Sequence, residues 1–193
     1  MLIGRERERG PRRLFAILQL LPYERGRWSY MAFLRPADAA RVRQRFDDEL
    51  VGDVRLLAFI QPTTGLFVPG RSETDSGRQT EALLREVAGL SDHVHVEVVN
   101  PREDPVRASL HGVERFPAIV VQSLETDTET GSEVAEEPGR IRFFGLPSGY
   151  EFMTLLDTVV NASQPDTRLS PSSVGLLDAI TEPVHLQVFV TPT

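Results

Sequence analysis

Glu114-Arg115-Phe116-Pro117-Ala118-Ile119-Val120-Val121 and Ile141-Arg142-Phe143-Phe144-Gly145-Leu146-Pro147-Ser148-Gly149-Tyr150-Glu151-Phe152 are the two runs whose reading decides the fold. Both concentrate β-branched and aromatic residues in short stretches bounded by turn residues, the pattern of strands. Residues 125–139, between them, are rich in Glu, Thr, Ser and Gly and hold too few apolar side chains for a core. The pair therefore reads as an antiparallel hairpin with a long solvated tip. Pro117 opens the first strand, one of the few places where a sheet tolerates a residue without an N–H. Gly145-Leu146-Pro147 closes the second, and the apolar period then becomes helical.

Working outward toward the N-terminus, Val94-His95-Val96-Glu97-Val98-Val99 alternates as a strand. Asn100-Pro101 breaks it, and a short helix is predicted from Pro105 to His111, ended by Gly112. Val54-Arg55-Leu56-Leu57-Ala58-Phe59-Ile60 is too uniformly apolar for a sheet with one wet face and predicts a strand covered on both sides. A polar loop from Pro62 to Gly77 leads to a helix that turns Leu83, Leu84, Val87 and Leu90 inward and Arg85 and Glu86 outward. Pro36-Ala37-Asp38 starts an earlier helix, with Val42, Phe46 and Leu50 on one face to about Glu49.

Beyond the hairpin, Tyr150, Phe152, Met153, Leu156, Val159 and Val160 predict a helix packing back on the sheet. A polar linker, Asn161 to Ser170, precedes a second short helix carrying Val174, Leu177 and Ile180. His185-Leu186-Gln187-Val188-Phe189-Val190 is predicted to be a strand. The tail repeats the opening in small: Ala58-Phe59-Ile60-Gln61-Pro62-Thr63 against Val188-Phe189-Val190-Thr191-Pro192-Thr193, as an internal duplication would leave.

The 193 residues, 40% hydrophobic and 25% charged, suffice for a buried core. There is no cysteine, which excludes disulfides, thiolate metal sites and cysteine nucleophiles within the chain. The net charge is −7, and residues 1–30 carry a local excess of basic charge, so the remainder of the chain is more acidic still. That balance argues against nucleic acid as a partner. All 21 basic residues are arginine, which reads as coding bias rather than function.

Residues 1–30 stand apart. Five arginines between Arg5 and Arg13 precede the apolar run 14–21, which Pro22 ends. Three readings fit: a signal or membrane anchor, an amphipathic helix, or an untranslated leader ahead of a start at Met31. The run is too short to span a bilayer as a helix.

Taken together, the order is helix, strand, helix, strand, short helix, strand, strand, helix. An alternating first half implies parallel crossovers, and a closing pair implies an antiparallel hairpin. From Met31 to Thr193 the chain resembles the two-unit protein disulfide oxidoreductases, glutaredoxin-like proteins built from tandem thioredoxin-fold units. Arg115–Val121 and Arg142–Phe152 carry the resemblance. It implies an α/β fold of the thioredoxin-like class, a central mixed sheet flanked by helices, plus the first helix and strand of a second such unit. The implied domains are residues 1–30 as an extra segment, 31–163 as the thioredoxin-like unit, and 164–193 as the incomplete second unit. It also implies that Pro117 is a cis-proline facing the redox site, and that Phe116 offers backbone groups to an extended peptide. The family's Cys-x-x-Cys falls on Thr74-Asp75-Ser76-Gly77 here, so Thr74 and Gly77 stand where sulfurs would be.

The expected function is a redox-inactive thioredoxin-fold scaffold or peptide-docking unit, without cofactor, metal or catalytic residue, and cytoplasmic. Its expected partners are a protein or peptide at the cis-proline groove, or a second copy through the strand 185–190, with neither nucleic acid nor membrane. One alternative is a truncated product of an active oxidoreductase whose Cys-x-x-Cys follows Thr193. Another is a membrane-associated regulator anchored by residues 14–21. His93 and His95 form a conceivable metal pair without an evident third ligand, and are read as structural. The acids at Glu125, Asp127, Glu129, Glu133, Glu136 and Glu137 lack calcium-loop spacing. Ser148-Gly149 reads as a helix cap rather than an anion site.

Overall fold

A computed structural model describes residues 32–62, 76–124 and 137–189. Helix α1 (Pro36–Glu49) begins with proline in its first turn, where no N–H is required. Asp38 lies beside the positive end of the helix and accepts from Arg35 Nε at 2.8 Å. Val42 and Phe46 are its buried residues, and Leu50 packs against the same core. The chain then enters β1 (Val54–Phe59), which lies inside the sheet.

Strand β2 (Val94–Val99) lies parallel to β1 on one side, joined through helix α2 (Ser76–Ala88). On the other side β3 (Ala118–Ser123) runs antiparallel to β1, and β4 (Ile141–Phe144) antiparallel to β3. The order is β2-β1-β3-β4, with α3 (Pro105–Leu110) between β2 and β3 and α4 (Tyr150–Ala162) after β4.

Two cores arise from the period-2 alternation of β1. Val54, Leu56 and Ala58, with Ile60, face α1, α2 and α4, where they meet Phe46, Leu84, Leu156 and Val160. Leu57 and Phe59 face the other way, toward Val99, Ala108, Val113, Ala118 and Val120. The apolar run is therefore covered on both sides, as its composition predicts. Arg45 ties α1 to α4 through Glu49 at 3.1 Å and Asp157 at 2.7 Å. Burial lowers the affinity of this guanidinium for its proton, but the hydrogen bonds to Asp157 and Glu49 more than offset that, and its pKa is raised.

In α4 the buried residues are Leu155, Leu156, Val159 and Val160, whereas Tyr150 and Met153 are exposed. Phe152, Leu156, Val159 and Val160 face the core as expected, and Leu155 in place of Tyr150 and Met153 completes the i, i+3, i+4, i+7, i+8 stripe. Most of the expected solvated tip, residues 125–136, lies outside the described residues.

The tail departs from expectation. A helix does form as α5 (Pro171–Asp178), capped by Ser170 Oγ, which accepts from the Ser173 N–H at 3.1 Å. None of its residues is buried. The strand predicted over His185–Val190 is not formed across 185–189, which are exposed and belong to no strand; Val190 lies outside the described residues. A β-rich run becomes a strand only where a neighbour completes its ladder, and the four described strands pair only among themselves.

Candidate functional site

Thr74 lies outside the described residues, and Gly77 is the second residue of α2. A Cβ on Gly77 would stand 2.9 Å from Ile60 Cγ2, so glycine lets the first turn of α2 close on the end of β1. The β1–β3 register pairs Phe59 with Ala118. A side chain at position 77 would have to displace Ile60.

The Phe116–Pro117 peptide bond is cis, and the Pro117 carbonyl accepts the Gly145 N–H at 2.8 Å, fixing the end of β4 beside it. Phe116 is half-buried and lines a groove of about 380 Å³ together with Pro101, Pro105, Ala108, Val113 and Glu114. Local chemistry builds the walls. Asp104 caps α3 by accepting from the Arg107 N–H at 2.9 Å, and Pro105 occupies the first helical turn. The Arg107 guanidinium holds both carboxylate oxygens of Glu97, binding α3 to strand β2. Gly112, with φ of 60°, turns the chain out of the helix, and the Val113 N–H donates to Ala108 O at 2.9 Å.

His111 ties the end of α3 to the approach to β4. It is fully buried, its ring lies 5.7 Å from that of Phe59, and its Nδ1 accepts the Gly139 N–H at 2.9 Å. Gly139 must be small, since a Cβ there would lie 2.0 Å from Val120 Cγ1. Arg142 Nε donates to the His111 carbonyl, and the Arg115 guanidinium sits over the Phe144 ring at 4.7 Å.

Three of these features escape sequence reasoning. His111 reads as an ordinary residue near a helix end, because the Gly139 partner that accounts for its burial is 28 positions away. The Arg115–Phe144 stack needs the hairpin register to be known. Asp53 lies 2.7 Å from His93 Nδ1 and 3.9 Å from His95 Nε2, a carboxylate neighbour that the histidine spacing does not reveal. No group of three such residues able to hold a metal ion occurs among the described residues.

No family model and no curated protein sequence matches the chain. Solved structures do resemble it. The N-terminal domain of alkylhydroperoxide reductase AhpF from Enterococcus faecalis V583 superposes with a TM-score of 0.54 at 21% identity, over 72% of this chain and 57% of that one. A protein disulfide oxidoreductase from Aeropyrum pernix K1 also gives a TM-score of 0.54, at 17% identity, over 75% of this chain and 54% of that one. The chain thus spans little more than half the length of either. With its β2-β1-β3-β4 sheet, flanking helices and cis-proline at the entrance to β3, this chain has a thioredoxin-like fold.

Proposed function

We propose that these 193 residues form a thioredoxin-fold docking unit that performs no dithiol–disulfide exchange of its own. The observation that carries this reading is the groove beside the cis Phe116–Pro117 bond, lined by Pro101, Pro105, Ala108, Val113 and Phe116 together with Ser109 and Glu114, in a chain with no cysteine. Dithiol exchange needs a thiolate, and no residue here supplies one. The groove offers what an extended segment needs: a side-chain slot of about 380 Å³ next to backbone at the entrance of a strand.

Glycine at position 77 favours the same reading. Its contact with Ile60 fills the space that a side chain at the family's second sulfur position would use. The unit then serves as a scaffold that holds a protein segment for chemistry performed by a separate catalytic unit.

The test is fluorescence anisotropy with a labelled Gly-Ser dodecapeptide carrying one central Phe. The expected result is saturable binding that Val113→Glu abolishes, together with no turnover in an insulin-reduction assay. Absence of binding, or binding indifferent to Val113→Glu in a folded variant, would overturn the docking reading.

A further inference from the structure

We infer that the segment held at the Phe116–Pro117 edge is an acidic one: an extended peptide whose apolar side chain fills the groove and whose neighbouring carboxylates meet Arg115 and Arg142. This rests on the docking reading and goes on to name the chemistry of the partner.

The two guanidiniums do not line the groove but lie toward β4 from it, next to lining residues. Phe144 and Arg142 are two residues apart on β4, so they share one face of the sheet. Arg115, one residue before Phe116, lies over the Phe144 ring at 4.7 Å. Arg142 donates through Nε to the His111 carbonyl, and its Nη2 comes 3.2 Å from where a Cβ on Gly112 would stand. Gly112 itself lines the groove. One guanidinium is thus oriented by an aromatic ring and the other by a backbone carbonyl; Arg115 adjoins the lining Phe116 in the chain, and Arg142 reaches the lining Gly112 in space.

Among the described residues neither makes an ion pair. The contrast with their neighbours is chemical. Arg107 is engaged by Glu97, Arg45 by Glu49 and Asp157, Arg85 by Glu81, and Arg35 by Asp38. Arg43, Arg102 and Arg140 are likewise exposed without an ion pair among the described residues; what sets Arg115 and Arg142 apart is their place, one stacked on Phe144 and the other against Gly112. A planar guanidinium held against a ring still presents its donor edge to a carboxylate in the bidentate manner, with part of its ordering already done. Glu114 is the acid among the lining residues, and it opposes a partner with carboxylates on that side. The polarity of the site is therefore directional: apolar and acidic toward α3, basic toward β4. An extended segment with its apolar residue in the groove and its carboxylates leading toward β4 matches it.

The experiment extends the anisotropy series to three labelled dodecapeptides with the same Gly-Ser background and central Phe, followed by Asp-Asp, Ser-Ser or Lys-Lys. The expected order is Asp-Asp about fivefold tighter than Ser-Ser, the scale of one exposed ion pair, with Lys-Lys weakest. The preference should shrink as salt is raised. Arg115→Gln should remove most of it, read as the ratio of Asp-Asp to Ser-Ser affinity within the same variant, and Arg115→Lys should restore part. Equal binding of the Asp-Asp and Ser-Ser peptides, tighter binding of Lys-Lys, or an unchanged preference in Arg115→Gln would overturn the inference while the docking reading stands. Failure of all three peptides to bind would overturn both.

Discussion

His111 Nδ1 accepts the Gly139 N–H at 2.9 Å, joining the end of α3 to the approach to β4. This bond, with Arg142 on the His111 carbonyl, fixes the end of α3 relative to the hairpin. Because Nδ1 is the acceptor, the ring carries no proton there in this arrangement.

Replacing Gly139 tests the tightness of this junction. A Cβ 2.0 Å from Val120 Cγ1 cannot be accommodated without moving the strand or its approach. Gly139→Ala is expected to cost about 1–3 kcal/mol, the scale of overpacking a close-fitted interior. Urea denaturation monitored by circular dichroism measures it, and a loss below a few tenths would show that the junction yields freely.

Removing the acceptor tests the same junction from the other side. His111→Leu keeps the apolar bulk against Phe59 but leaves the Gly139 N–H without its partner. The expected cost is about 1–3 kcal/mol, that of a buried donor left unsatisfied. Hydrogen exchange at Gly139 should accelerate in this variant while exchange within β1 slows or speeds only with global stability.

Glu86 accepts the backbone N–H groups of Phe33 and Leu34 at 2.8 and 3.0 Å, tying the segment before α1 to α2. Glu86→Ala should lower stability by about 0.5–1.5 kcal/mol. The Phe33 and Leu34 amides should lose protection beyond the global effect, which amide exchange by NMR reads directly.

Contact between Gly77 and Ile60 predicts coupling. Gly77→Ala should destabilise by about 1–2 kcal/mol, since its Cβ would meet Ile60 Cγ2 at 2.9 Å. In an Ile60→Ala background the same change should cost less, with a coupling energy of at least about 0.5 kcal/mol in a double-mutant cycle. Strict additivity would show that the first turn of α2 does not press on the end of β1.

Much of the architecture is legible in local pattern. The apolar run of β1 announces a strand covered on both faces, and the alternation of Val94–Val99 marks the bounds of β2. Pro36 and Pro105 mark the starts of α1 and α3 because a proline's missing N–H is harmless there. What stays hidden depends on contacts distant in sequence. His185–Phe189 has the composition of a strand, but composition cannot supply a pairing partner, and the residues lie exposed. Tyr150 and Met153 look like core on apolarity alone, yet the helix turns them outward. The basic side of the groove exists only once β4 is paired in register with β3, bringing Phe144 beneath Arg115.

The most direct test of the docking account is an amide NMR titration of the intact chain with the Phe-Asp-Asp dodecapeptide. Saturable shift changes confined to residues 108–117 and 142–145 are the predicted result. Changes confined instead to α5 and residues 180–189, or no changes at all, would contradict it.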